Sequence, residues 1–440
     1  MESTIGRWNA SAADAGAFVL RTVLQPLELL LRAPAWLFLA ALLAMLLRAP
    51  DLAQCWVDRI VFVMLIALVL LRAVLLRQSL RPAAPIVWAM ASLAVLAAID
   101  LLRTPYDVQL WSVAAAKFFV PYTVFYLAGL VFDSDEALRL LEAFTLLVFA
   151  YLVFTSIVYM MRLDFLVFPQ FILDPTLGIH LERARGPFLQ AEANGAAMNV
   201  LGLLALDSYR RGRLRGMGAT VLLLAYPVAI VLTKTRAVWL AFTVSTALLA
   251  YATSSARVRR LCIGWLAAGA LGLLALTAVS TGSEDSIRRR LADEDTVQFR
   301  LSAYRAGWTM FTEHPVLGWG ASQMQTELAS RIDRFHGDGF VVHNTYFEVL
   351  LEYGSAGFLL YGLIWRSFLR SHRRARLTEE SSLLASLQGP LWLLLLTVYL
   401  VSATFVVMNY QFLNAFIFML GGILAKQNQN RQVGERALAG

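Results

Sequence analysis

The chain has 440 residues, of which 59% are hydrophobic and 15% are charged, and its mean hydropathy is +0.62. Soluble domains are about 45–50% apolar and about 25% charged, so this composition excludes an ordinary soluble protein and predicts an all-α integral membrane protein. The net charge is +8, but the arginines lie between apolar runs, so we interpret them as topology signals and expect no nucleic-acid partner.

Apolar runs close to the roughly 20 residues that a helix needs to cross a bilayer recur along the chain. The first 25 residues contain no compact apolar stretch of a cleavable signal peptide. We predict about twelve membrane helices, at residues 34–49, 57–76, 84–102, 112–132, 139–161, 193–208, 217–234, 236–253, 261–280, 344–366, 387–405 and 409–426. The short links after 234 and 405 predict either two helical hairpins or two broken helices.

These spans divide the chain into three regions: 1–280 with nine membrane helices, a polar loop at 281–343, and 344–440 with three more helices and a tail. Basic residues are concentrated in alternate loops, and the positive-inside rule therefore places both termini in the cytoplasm and the long loop outside. The short outer loops hold fewer basic residues, which are Arg48, Arg59, Arg103, Lys117, Arg162, Arg183, Arg185, Lys234 and Arg236.

The 281–343 loop carries helix signals of its own. A short helix is predicted from Ser283 to Arg290, a second at about 296–313 and a third at about 321–335, with a turn at Gly318-Trp319-Gly320 between the last two. The second helix has an apolar stripe of Val297, Leu301, Tyr304, Trp308 and Phe311. This stripe predicts either packing against the membrane domain or an interfacial helix, with Arg300 and Arg305 level with lipid phosphates.

Several candidate site residues are predicted to lie on this outer face. His343 ends the loop, and its neutral imidazole is suited to accept a proton. Arg236, Arg300, Arg183 and Arg185 are suited to bind phosphate groups. Each has a structural alternative, since a histidine at a helix entry can bond to the backbone and arginines at a membrane edge can snorkel or stay solvated.

Together, one histidine and several arginines are what an anionic, lipid-linked substrate needs. The arginines would stabilise a departing diphosphate, and the histidine would deprotonate an incoming hydroxyl. The outer face has no paired carboxylates or Cys/His cluster, and the chain has no GxxxxGK[ST] loop. The sequence therefore predicts no metal, no ATP use and no cofactor.

The residues resemble the bacterial O-antigen ligases of the ligase–polymerase superfamily. His343-Asn344, with Gly354 and Gly357 after it, is similar to the ligase signature, and Arg300 followed by the 314–320 segment His-Pro-Val-Leu-Gly-Trp-Gly is similar to the family's arginine and "HPLxGxG" element. Arg236-Ala-Val-Trp239 is similar to the family's "RxxW/Y" helix start. The 183–188 segment Arg-Ala-Arg-Gly-Pro-Phe, followed by Asn194, is a weaker match.

The resemblance implies a glycosyltransferase-C-like fold in the bacterial inner membrane, with the active site on the periplasmic side. It implies inverting, metal-independent transfer of an O-antigen glycan from undecaprenyl diphosphate to a sugar hydroxyl of lipid A–core oligosaccharide. Carried onto this chain, His343 is the base and Arg236 and Arg300 contact the diphosphate, with Arg183 and Arg185 as weaker candidates for the same role.

Three alternatives stay open. A polymerase of the same superfamily would use the same donor with a lipid-linked glycan as acceptor. A protein O-oligosaccharyltransferase would use a protein hydroxyl. A lipid-linked glycan transporter is disfavoured because transporters tend to have internal repeats and charges near the midplane, whereas this sequence has charges at the outer edge.

Overall fold

The computed structural model describes residues 34–48, 57–77, 86–279, 295–332, 340–372 and 382–439. Within these ranges the chain is helical and contains no strand. The α-helices are α1 Pro34–Leu46, α2 Val57–Leu75, α3 Ile86–Leu102, α4 Val108–Ala114, α5 Val120–Val131, α6 Asp135–Met160, α7 Ala191–Arg210, α8 Gly216–Leu232, α9 Arg236–Ala252, α10 Ala256–Val279, α11 Asp295–Glu313, α12 Ala321–Arg331, α13 Thr345–Arg370, α14 Leu383–Gln388, α15 Pro390–Ala403 and α16 Gln411–Ala439.

Every predicted membrane span overlaps helix in the described residues, because a long apolar run can satisfy its backbone hydrogen bonds only within itself. Two spans are divided between consecutive helices, 112–132 between α4 and α5 and 387–405 between α14 and α15. Among the described residues, three helices are long and apolar enough to cross a membrane by length and composition: Val108–Val131, Asp135–Met160 and Thr345–Arg370. Five shorter apolar helices accompany them. The described residues are therefore all-helical and have the apolar helices of a membrane protein, and the number of crossings stays a prediction.

The predicted second and third helices of the outer loop are present as α11 and α12. The helix predicted from Ser283 to Arg290 lies outside the described residues. Packing was one of two alternatives for the apolar stripe of α11, and it describes only part of the stripe. The side chain of Val297 lies outside the described residues. Tyr304 and Phe311 pack against a small hydrophobic core that α11, α12 and the first turns of α13 form. Leu301, by contrast, is 43% exposed and Trp308 is 57% exposed. The buried face is formed instead by Ala303, Gly307 and Met310.

A π-helical turn, Ala115–Phe119, joins α4 to α5 within one candidate span. The side-chain amide of Asn414, from α16, donates to the carbonyl of Ala116 in this turn at 2.8 Å and accepts from the Tyr399 hydroxyl at 2.6 Å. A single such turn shifts the helix register and is frequent at functional sites.

Lys117 lies within this turn, and its side chain is in the protein interior. The sequence predicts it in a short outer loop instead. Its Nζ lies 2.8 Å from Glu348 Oε2 and 3.2 Å from Glu352 Oε1, and all three side chains are at most 4% exposed. The expectation that charges stay at the outer edge is therefore wrong for this triad, which lies within two candidate spans.

Helix α13 is broken at Gly354, which has φ 60° and ψ −162°. The segment around the Gly318-Trp319-Gly320 turn fills the break. The amides of Trp319 and Gly320 donate to the carbonyls of Leu351 and Glu352, both at 2.9 Å. On the other side of the break, the amide of Ser355 donates to the carbonyl of Pro315 at 2.8 Å. The broken helix thus keeps its backbone groups paired, and the outer segment is fixed to the helix that follows His343.

We expect Gly354→Ala to destabilise the protein. A Cβ at Gly354 would lie 2.3 Å from the Val316 carbonyl oxygen, and its backbone conformation is almost restricted to glycine, so the cost should reach about 1–3 kcal/mol or more. Gly362→Ala is the matched control, because a Cβ there meets nothing within 4 Å. The midpoint of thermal unfolding in detergent should fall for the first variant only, and equal midpoints would contradict this role of Gly354.

Candidate active site

His343 lies immediately before the Asn344 cap of α13. The Asn344 side chain accepts from the amide of Phe347 at 3.0 Å. The hydroxyl of Thr345 donates to the carbonyl of Val406 at 2.7 Å and accepts from the amide of Met408 at 2.9 Å. These bonds pin the start of α13 to the segment before α16 and thereby fix the backbone of His343.

The imidazole of His343 is positioned by its backbone conformation and by packing. Its backbone φ of 53° is in the left-handed region, which is unusual for histidine and frequent at functional sites. The ring is half-buried and stands edge-on to Phe340, with centroids 6.3 Å apart. Among the described residues, neither ring nitrogen has a hydrogen-bond partner. The alternative interpretation of His343, a histidine at a helix entry that bonds to the backbone, therefore does not describe this ring.

Two charged residues act on His343 from neighbouring helices. Burial lowers the pKa of His343 below its ordinary value, and the Arg300 cation lowers this pKa further. The Glu192 carboxylate raises it in part. The balance keeps the imidazole neutral at neutral pH, the state in which it can accept a proton.

Arg300 reaches this region because α11 packs on the first turns of α13. The ring of Tyr304, one turn after Arg300, stands edge-on to Phe347 at 5.3 Å, and its hydroxyl lies 3.5 Å from the Asn344 amide. Gly307 allows the close approach, since a Cβ there would lie 2.5 Å from the Phe347 ring. The partly exposed Arg300 guanidinium has no ion-pair partner among the described residues.

Arg236 is the first residue of α9, is exposed, and has no side-chain partner among the described residues. Its position is fixed by two contacts at the outer end of the bundle. The amide of Ala184 donates to the carbonyl of Leu232 at 3.0 Å, and Gly195 lets α7 approach Val238 of α9, where a Cβ would lie 2.4 Å away. The loop that carries Arg183 and the start of α9 are therefore neighbours.

Arg183 and Arg185 have different environments, although they are two residues apart. Arg183 is largely buried and pairs with Glu192 at 3.4 Å and with the more exposed Glu182 at 3.3 Å. Arg185 is fully buried. Its guanidinium donates to the backbone carbonyls of the preceding loop, at Ile172, Leu177 and Asp174. In this conformation Arg183 pairs with Glu192 of α7, and Arg185 holds the loop together.

Arg300 and Glu192 thus lie within electrostatic range of His343, and Arg183 pairs with Glu192. Arg236 lies at the start of α9, next to the loop that carries Arg183. Two features were not predicted from the sequence. They are Glu192 in the first turn of α7 and the buried pairing of Lys117 with Glu348 and Glu352 of α13. The signal for Glu192 was available, because it lies between Gly186 and Asn194 of the weaker motif.

A part of the chain matches a known family. No curated protein matches the chain. A family model described as O-antigen ligase matches residues 218–362, which run from α8 to the middle of α13 and include Arg236, Arg300 and His343 but not Arg183, Arg185 or Glu192. Residues 218–362 are therefore similar to the O-antigen ligase family.

Proposed function

We propose that this protein is an O-antigen ligase of the bacterial inner membrane. It transfers an O-antigen glycan from undecaprenyl diphosphate to a sugar hydroxyl of lipid A–core oligosaccharide on the periplasmic side. The observation that carries the proposal is the half-buried His343 imidazole, within the region that matches the family, which has no hydrogen-bond partner among the described residues. Burial and the Arg300 cation lower its pKa, which favours the neutral form that can accept a proton.

The chemistry assigns a role to each group. The acceptor hydroxyl oxygen attacks the anomeric carbon of the donor sugar while His343 takes the hydroxyl proton. The bond from that carbon to the diphosphate oxygen breaks, and the configuration inverts because attack comes from the opposite face. The leaving undecaprenyl diphosphate carries the negative charge, which the guanidiniums of Arg300, Arg236 and Arg183 stabilise. Arg185 then acts by holding the loop that presents Arg183.

The test is transfer by purified protein. Undecaprenyl-diphosphate glycan and lipid A–core are mixed with the protein in detergent, without ATP and with EDTA, and the products are separated on a gel. We expect capped lipid A–core. Lengthening of the donor instead would indicate the polymerase, and transfer to an added protein acceptor would indicate the oligosaccharyltransferase.

Two observations favour a second candidate, the lipid-linked glycan transporter. The Lys117 triad within candidate spans and the break at Gly354 are features that transporters also have. In proteoliposomes, movement of the donor across the bilayer without any transfer would support that function and contradict the ligase.

Among the arginines, we expect Arg300→Ala and Arg236→Ala each to lower donor use by about 10–100-fold. A hydrogen bond to a charged group contributes about 1.5–3 kcal/mol, and about 1.4 kcal/mol corresponds to tenfold. The Lys variants should recover only part of this, since lysine cannot form the bidentate contact. The measurement is kcat/KM for the donor.

Arg305→Ala is the matched control for these variants, because Arg305 is exposed on the same helix as Arg300. If Arg305→Ala and Arg300→Ala lose equal activity, the diphosphate role of Arg300 is wrong and a general effect of positive charge on the outer surface explains both.

A further inference from the structure

Glu192 has a carboxylate oxygen that nothing in the described part of the protein satisfies. Its Oε1 lies 3.4 Å from Arg183 Nη1, but its Oε2 is buried and has no hydrogen-bond partner among the described residues. A buried, unpaired acceptor costs free energy, so such an atom at a candidate active site calls for a function.

The imidazole of His343 is the complementary group. Neither of its nitrogens has a hydrogen-bond partner among the residues that the structure describes, and the Glu192 carboxylate acts on it electrostatically from α7. The packing explains their proximity, because both helix starts rest on the same segment before α16. Phe188, just before α7, meets the ring of Tyr410 edge-on at 6.3 Å, while Thr345 of α13 binds the amide of Met408.

We propose that Glu192 is the positioning residue of the His343 base: its free carboxylate oxygen accepts the imidazole N–H, directs the other nitrogen to the acceptor hydroxyl and stabilises the imidazolium that forms. This inference rests on the proposed function. The contact closes when the donor's diphosphate engages Arg183, which leaves the carboxylate of Glu192 to accept from the neutral imidazole of His343. Active-site hydrogen bonds are commonly longer before substrate binds.

The proton balance is complete within these groups. The acceptor oxygen loses its proton to His343 as its bond to the anomeric carbon forms, and the diphosphate leaves with the electron pair of the broken bond. The imidazolium lies beside one carboxylate and later returns the proton to water. Arg300 from α11 and Glu192 from α7 act electrostatically on His343, and Arg183 pairs with Glu192. The Tyr304 hydroxyl lies 3.5 Å from the side-chain amide of Asn344, the residue after His343.

Glu192→Gln tests the proposal, with Glu182→Gln as the matched control. Both carboxylates pair with Arg183, but Glu182 is about half exposed and does not act on His343. We expect Glu192→Gln to lower the maximal rate by about 10–100-fold, a part of the 10²–10⁴ that a general base supplies. Glu192→Asp should recover some of this rate, and Glu182→Gln should behave as the wild type.

A second readout does not depend on transfer. Imidazole titration by NMR on histidine-labelled protein, with the His343 signal assigned from a His343→Gln sample, reports the pKa of His343 directly. Removing the Glu192 charge removes an effect that raises this pKa, so it should fall in Glu192→Gln, and the acid limb of the rate profile should move to lower pH with it.

The possible failures are distinguishable. An unchanged His343 titration in Glu192→Gln, or a rate equal to that of Glu182→Gln, would overturn the assignment of Glu192. Absence of transfer by folded wild-type protein would instead overturn the proposed function, and the titration would still show whether Glu192 pairs with His343.

Discussion

Transfer by His343→Ala and His343→Asn should fall by about 10²–10⁴-fold, the share of catalysis that a general base commonly supplies. Both variants should remain folded, because the His343 ring makes no hydrogen bond within the described residues and removing it breaks no network. His343→Asn is the sharper variant. Asparagine tolerates the left-handed backbone at this position, where φ is 53°, but it cannot take the proton.

His314→Ala is the control. His314 also lies on the outer segment, but it is exposed and stands edge-on to Trp319 at 4.4 Å rather than facing the charged groups. Its rate should be close to that of the wild type. Single-turnover rates with saturating donor would measure the loss, and a His343→Asn protein that still caps lipid A–core would contradict the base assignment.

The pH dependence follows from the same environment. Burial and Arg300 lower the pKa of His343 below 6.5, so its neutral form should predominate at neutral pH and the rate should fall only at more acidic pH. In Arg300→Ala a cation that lowers the pKa is removed, so the acid limb should move to higher pH. A limb that stays in place would show that another group sets the profile.

The helices were predictable because membrane spans obey a simple physical rule. An apolar run of sufficient length must pair its own backbone groups, so the runs at 139–161 and 236–253 correspond to α6 and α9 nearly residue by residue. The position of His343 was also predictable, because the next residue, Asn344, is a good helix cap and an apolar run begins after it.

The charges inside the bundle were not predictable from local sequence. Lys117 lies near a predicted span end, where a lysine ordinarily snorkels to the surface, and its partners are 231 and 235 residues away. Only the π-helical turn directs it inwards. Arg183 and Arg185 show the same limit, since two arginines of one motif look equivalent until the loop fold buries one of them.

The contact between two motif glycines, Gly318 and Gly354, is not evident from the sequence. Gly354 and Gly318 resemble family positions, but the sequence does not tell that they meet. A Cβ on Gly318 would lie 2.5 Å from the carbonyl oxygen of Leu351, and one on Gly354 would lie 2.7 Å from the amide nitrogen of Gly318. Their function is to let two backbones pair across a broken helix, an arrangement that depends on contacts distant in sequence.

Lys117→Met should be the most destabilising single change in the membrane domain. Removing the cation leaves Glu348 and Glu352 buried one helical turn apart without a counter-charge, and breaking a buried ion pair in this way costs about 3–5 kcal/mol. Because both glutamates lie on the first turns of α13, the loss should also displace His343, so residual protein should transfer poorly.

The triple variant Lys117→Met, Glu348→Gln, Glu352→Gln separates charge from packing. With no buried charge left, it should regain most of the stability lost by Lys117→Met, since the cost comes from unpaired carboxylates rather than from a lost attraction. The measurement is the midpoint of thermal unfolding in detergent. If Lys117→Met alone unfolds at the wild-type temperature, water or another cation reaches the glutamates and the triad does not stabilise α13. If the triple variant is as unstable as the single one, the lysine contributes through the packing of its alkyl chain instead.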